Sequence, residues 1–243
     1  MTSSGIPAIE GNWALFLDLD GTLLDIAPRP DAVFVPPGLT ATLATVVRRL
    51  DGALAIVTGR ARAVADALLA PLTLPGGFGH GAELRDAAGR IAGVDAIPAM
   101  PADWPARLAA EVAAWPGVIL EIKPHGLSLH YRGAPQMQDA TRAALLALLR
   151  GHDDDFALMP AHMAFEIRPR AATKGRAVHA LMQAAPFRGR RPVFVGDDVT
   201  DEDGMAAARD LGGFGLHVGR DFSGGPAEVR AWLMQREARH AAS

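Results

Sequence analysis

Short apolar runs lie far apart in this chain, and each leads into a polar group. Trp13 to Asp18 reads WALFLD, Ala53 to Thr58 reads ALAIVT, and Pro192 to Gly196 reads PVFVG ahead of an aspartate pair. Continuous apolar runs, as opposed to alternating ones, predict parallel strands covered on both faces. Segments of helical period separate them, at Thr40 to Leu50, Ala63 to Leu69, Lys174 to Ala184, Asp201 to Leu211 and Ala227 to Arg236. Strands alternating with helices predict an α/β fold around a parallel sheet. Such sheets take their ligands beyond the carboxyl ends of the strands, where these polar groups fall.

The middle of the chain follows another rule. After Gly81-Ala82-Glu83 a hairpin is expected around Asp86 to Gly89. From about Pro98 the order is helix (Asp103 to Ala114), strand (Val118 to Lys123), strand (Leu127 to Arg132), helix (Gln136 to Leu149), strand (Phe156 to Met159) and strand (Met163 to Arg168). This α-β-β-α-β-β pattern predicts an antiparallel α+β module, residues 98–168, inserted into a core made of residues 1–97 and 169–243. Its strands alternate. Val118, Leu120 and Ile122, then Leu127, Leu129 and Tyr131, then Met163, Phe165 and Ile167 make one face, expected to pack on the two helices. The other face collects Glu121, Lys123, Ser128, His130, Arg132, Glu166 and Arg168. An ordinary solvated sheet face would show the same pattern.

Composition narrows the classes. The chain has 243 residues, 49% of them hydrophobic, enough for a substantial core. A net charge of -3 argues against nucleic acid or an anionic membrane as the main partner. The absence of cysteine excludes disulfides, thiolate chemistry and cysteine-ligated zinc. The N-terminus lacks the basic-then-apolar order of a signal peptide, and no apolar stretch is long enough to span a bilayer. A cytoplasmic protein is expected. GxxxxGK[ST] and HExxH are both missing, which argues against a P-loop nucleotidase and a zinc protease.

The chemistry lies in four markers. Asp18 and Asp20, in FLDLDGTLL, leave the first strand two residues apart, so both can face one site. A carboxylate can attack phosphorus and form an acyl phosphate. A second can protonate the leaving oxygen and later take a proton from water. Gly21 lets the backbone approach a phosphate. Thr58 and the amides around Gly59 supply donors, and Lys174 supplies a cation at a helix start. Asp197 and Asp201, in GDDVTDED, add carboxylates that would repel Asp18 without a cation. Mg²⁺ suits such a set, being hard and bound by a few carboxylates, water and phosphate. Its expected ligands are oxygens of Asp18 and Asp197 and the carbonyl of Asp20, with Asp201 orienting waters. Taken singly, each marker is also what a loop aspartate pair, a strand terminus, a solvated lysine or an acidic helix start would look like.

In this order, DxDGTLL, TGR, the lysine and GDDxTDED resemble the haloacid dehalogenase (HAD) superfamily of phosphatases. The resemblance covers the whole chain. It implies a Rossmann-like core, Asp18 as nucleophile, Asp20 as acid and base, Thr58 and Lys174 on the phosphate, and the insert as a cap. Within the superfamily, GHGAE (Gly79 to Glu83), EIKPHGLSLHYR (Glu121 to Arg132) and FEIRP before TKG resemble the trehalose-6-phosphate phosphatase family. That resemblance implies trehalose 6-phosphate as the small-molecule substrate, Mg²⁺ as cofactor, and Glu121, Lys123 and Glu166 on the sugar. Arg60, His130 and Arg132 are weaker candidates for substrate contact. A monomer is expected. A related sugar phosphatase (sucrose phosphate, glycosylglycerate phosphate), a phosphomutase and a silent sugar-phosphate-binding regulator are the alternatives.

Overall fold

The computed structural model describes residues 5–27, 32–92, 97–161 and 163–235. Arg236, the expected end of the last helix, lies outside them. The chain divides into two compact units, Met1–Ala92 with Thr173–Ser243, and Gly93–Ala172.

The first unit is built on a sheet of strands β1 (Trp13–Leu17), β2 (Leu54–Val57), β3 (Gly76–Phe78), β4 (Glu83–Arg85), β5 (Ile91–Ala92), and, after the second unit, β10 (Arg191–Gly196) and β11 (Phe214–His217). Their order is β11-β10-β1-β2-β3-β4-β5. The pairs from β11 to β3 are parallel, and β3-β4 and β4-β5 are antiparallel. All residues of β1 and β2 are buried, as unbroken apolar runs require. Helices α1 (Leu39–Arg49), α2 (Arg62–Leu69), α5 (Lys174–Met182), α6 (Val199–Asp210), α7 (Val218–Asp221) and α8 (Pro226–Leu233) belong to the same unit. Leu39, Leu43 and Val46 of α1 and Val229, Trp232 and Leu233 of α8 enter its core with Trp13, Phe16 and Phe194.

Two strands escape the apolar pattern. β3 contains the pair Gly76-Gly77, and a Cβ on Gly76 would lie 2.2 Å from the carbonyl oxygen of Ile56. The backbone there is too close to its neighbour for side chains, so no apolar run marks the strand. In β11 the sequence Phe214-Gly215-Leu216-His217 is only half apolar, because the strand sits at the sheet edge.

The second unit contains α3 (Trp104–Val112), β6 (Ile119–Lys123), β7 (Gly126–His130), α4 (Gln138–Leu149), β8 (Phe156–Ala161) and β9 (Ala164–Pro169), in the predicted order. Its sheet runs β6-β7-β9-β8 and is antiparallel throughout. Leu127, Leu129, Phe165 and Ile167 pack with Trp104, Leu108, Leu145 and Leu148 of the two helices. Three expectations at the strand ends need correction. Ile122 is 58% exposed, because β6 is the edge strand and its far end extends past the packed core. Arg132 lies in a turn after β7, and Met163 adopts φ 53° in the β8–β9 connection. Arg168 and Ser128 share the polar face but are buried.

Candidate active site

The register of the parallel strands brings the markers together. Leu17 of β1 pairs with Val195 of β10, and the Asp18 amide donates to the Val195 carbonyl at 3.0 Å. The chains leaving these two strands therefore start side by side, and Asp18 meets the Gly196-Asp197-Asp198 turn. Gly21 has φ 76°, and a Cβ there would fall 2.0 Å from Asp197 Oδ2. Only glycine lets the two loops close on each other at this point.

Lys174, the first residue of α5, turns its ammonium inward. Its Nζ donates to Asp18 Oδ1 at 2.7 Å and to Asp201 Oδ1 at 2.6 Å. Lys174 is 3% exposed, Asp18 4% and Asp201 0%. Burial alone would pull the lysine down, but the two carboxylates outweigh it and its affinity for the proton is raised above the ordinary value. Both oxygens of the Asp201 carboxyl are engaged inside the protein. Its Oδ2 accepts the backbone N–H groups of Asp197 at 3.1 Å and Asp198 at 3.0 Å, within a capping box that starts α6. The role expected of Asp201 is to orient metal-bound water. Here it fixes the Asp197 loop and anchors Lys174.

Asp18, Asp197 and Asp201 each present an oxygen within 4.8 Å of the others, the only such group of potential ligands among the described residues. Asp197 Oδ1 is buried and lacks a hydrogen-bond partner. Three carboxylates and one ammonium leave this cluster two negative charges in excess if all are ionised. Burial, and after it the Lys174 and Asp201 charges in opposition, leave the Asp18 carboxyl well above the usual carboxylate range. Burial and the Asp201 charge push Asp197 up to about 6. An orphaned buried oxygen and uncompensated charge fit a hard divalent cation. Asp20 contributes no carboxylate to this group.

Asp20 instead faces Arg60. The guanidinium holds it with two bonds, Nε to Oδ2 at 2.6 Å and Nη2 to Oδ1 at 2.7 Å. Arg60 follows the end of β2, where Thr58 is buried and accepts the Arg60 amide at 3.1 Å through Oγ1. The hydroxyl proton of Thr58 is thereby left to serve an acceptor in the site. The turn Gly79–Gly81 closes on this loop from below. Gly79 N–H donates to the Arg60 carbonyl and His80 N–H to the Thr58 carbonyl, each at 2.9 Å. A Cβ on Gly59 would strike His80 Nε2 at 2.4 Å, so the glycine gives the imidazole its place. The sequence offered no signal for this support beyond the GHGAE string itself.

The polar face of the second unit forms its own network. Ser128 pairs across the strands with both Glu121 and Glu166. Lys123 Nζ donates to Glu166 Oε2, Ser128 Oγ donates to the same oxygen at 3.2 Å, and His130 Nε2 lies 2.8 Å from Glu121 Oε2. The sheet thus brings together Glu121, Lys123, His130 and Glu166. Arg132 lies in the turn that follows β7.

Comparison with known proteins shows the family of the chain. The profile of the trehalose-phosphatase family matches residues 16–229. A probable trehalose-phosphate phosphatase of Sinorhizobium fredii is 44% identical, over 86% of this chain and 78% of its own. The trehalose-6-phosphate phosphatase of Escherichia coli is 40% identical, over 93% of this chain and 87% of its own. Among solved structures, the C-terminal domain of C. albicans trehalose-6-phosphate phosphatase superposes with a TM-score of 0.71 at 19% identity, covering 93% of this chain and 96% of that one. That last likeness is one of fold.

Proposed function

The chain belongs to the trehalose-phosphatase family, and from this premise we propose that it hydrolyses trehalose 6-phosphate to trehalose and phosphate through an aspartyl phosphate on Asp18, with Mg²⁺ as cofactor. The observation that carries the proposal is the buried Asp18 carboxylate, paired with Lys174 and flanked by the orphaned oxygen of Asp197.

Asp18 attacks phosphorus through the oxygen not held by Lys174. Lys174, the Thr58 hydroxyl and the amides around Gly59 hold the phosphoryl oxygens where charge develops, and such preorganised donors contribute most in a dry site. Asp20 protonates the sugar oxygen as it leaves and then accepts a proton from the water that splits the acyl phosphate. Asp18 and Asp197 with the Asp20 carbonyl would hold Mg²⁺, which when bound neutralises phosphate charge. The second unit acts as a cap. Glu121, Lys123 and Glu166, supported by His130, offer donors and acceptors to the hydroxyls of the disaccharide. A site built for those hydroxyls rejects substrates without them.

Phosphate release is the test, measured with and without chelator on trehalose 6-phosphate, sucrose 6-phosphate, glucose 6-phosphate and an aryl phosphate. Chelator-sensitive release favouring trehalose 6-phosphate is expected. Activity spread evenly over the panel would overturn the cap's role, and silence on all four would favour a binding module.

A further inference from the structure

Three consecutive residues of the turn after β3 lie in the left-handed region, Gly79 at φ 56°, His80 at φ 58° and Gly81 at φ 95°. Glycine enters that region freely, whereas a side chain there carries strain. His80 is the residue of the three that bears it. Glycine would meet the demand of the backbone without strain, so the turn alone does not call for an imidazole. An outlier of this kind points to a role for the side chain.

The imidazole sits against Gly59. A Cβ on that glycine would fall 2.4 Å from Nε2 and 2.5 Å from Cε1 of His80, so the ring occupies the room that a side chain at position 59 would need. The backbone on either side of this contact is bonded. Thr58 N–H donates to the Gly77 carbonyl, His80 N–H to the Thr58 carbonyl and Gly79 N–H to the Arg60 carbonyl, each at 2.9 Å. These bonds hold residues 58 and 60, and the ring bears on residue 59 between them. The far end of the turn rests on the helix that carries Lys174. The Gly81 carbonyl accepts Arg176 Nη1, and a Cβ on Gly81 would lie 2.3 Å from the Thr173 carbonyl oxygen. Thr173 caps α5 through its side chain, which accepts the Arg176 amide at 3.0 Å. The turn therefore spans the two sets of groups assigned to the phosphate above, the Thr58 and Gly59 donors on one side and Lys174 on the other.

We propose that His80 is a positioning residue for the phosphoryl group, its imidazole pressing the Thr58–Arg60 loop into place so that the Thr58 hydroxyl and the amides around Gly59 keep a fixed distance from Lys174. This rests on the phosphatase reading given above. No proton transfer is asked of the ring.

The test uses the contact between the ring and Gly59. His80→Gly removes the ring and the strain together. Relief of strain offsets the lost packing, so its thermal midpoint is expected to stay near that of wild type. Its kcat/KM should fall about tenfold or more, because misplaced donors lose transition-state stabilisation. The loss should be equal for trehalose 6-phosphate and an aryl phosphate, since the loop faces the phosphate they share. The Kd for inorganic phosphate, read by calorimetry with Mg²⁺ present, should rise as well. Gly59→Ala alone should be impaired, as its methyl group meets the ring. With His80→Gly that methyl group enters the vacated space, and the double variant is expected to recover most of what either single variant loses. His80→Asn, whose side chain tolerates the left-handed region and is smaller than imidazole, should fall between wild type and His80→Gly, and it serves if the glycine variant does not fold. Wild-type kcat/KM in His80→Gly would overturn the inference, as would a lowered midpoint with phosphate affinity intact. A loss confined to trehalose 6-phosphate would overturn it too and make His80 a sugar contact, and losses that simply add in the double variant would deny the contact its role. Wild-type enzyme that releases phosphate from none of these esters would instead remove the reading beneath, before any His80 variant is made.

Discussion

Lys174 keeps a positive charge almost wholly out of water, and two carboxylates make that possible. Removing one partner of a buried ion pair costs about 3–5 kcal/mol because the remaining charges stay buried. Lys174→Ala is therefore expected to lower the thermal midpoint clearly and to abolish phosphate release. An unchanged midpoint would mean that the pair is solvated in solution. The residues of this cluster were legible in the sequence because they sit in short strings of fixed spacing. The division of labour among them was not. Asp197 and Asp201 look alike in GDDVTDED, yet Asp201 spends both oxygens on Lys174 and on backbone amides while Asp197 keeps one oxygen unsatisfied. Asp20 and Arg60 show the same limit. Their types were readable, but the fork between them depends on a loop geometry set by Thr58 and Gly79.

Among the elements, those with a strong period were found within a few residues of their ends. α1, α2 and the six elements of the second unit are examples. β3 was missed because its function in the sheet is carried by bare backbone, and Ile122 was misplaced because alternation cannot tell a central strand from an edge. The same alternation did pick out the face on which Glu121, Lys123, Ser128 and Glu166 meet. Glu166 lies at the centre of that face, bonded to Lys123 and Ser128. Glu166→Ala is expected to reduce kcat/KM for trehalose 6-phosphate by tenfold or more while leaving a small aryl phosphate within about twofold, since a site loses most on substrates whose groups it was built to bind. Equal losses on both substrates would remove the second unit from sugar recognition.

On the scale of the whole molecule, stability and the binding of a cation are expected to be linked through the buried acids. Asp18 and Asp197 hold protons more tightly folded than unfolded, Asp197 to about 6 against an ordinary 3.8. Stability from such groups is fully present below the ordinary carboxylate range and is lost as pH rises through the folded values. A bound dication offsets that loss and adds its own binding free energy. Mg²⁺ is accordingly expected to raise the thermal midpoint more near neutral pH than near pH 5, with chelator reversing the gain. Equal shifts at both pH values would separate the acids from the cation. Among the described residues no helix is long and apolar enough to cross a membrane, and the chemistry proposed for the site centres on Asp18. The most direct test of that chemistry is rapid acid quench of the enzyme turning over radiolabelled trehalose 6-phosphate, followed by peptide mapping. Label stable to acid and labile to base, on the peptide carrying Asp18 and absent from Asp18→Asn, is the expected result. Rapid turnover with no labelled protein at any time, or undiminished label in Asp18→Asn, would contradict the account.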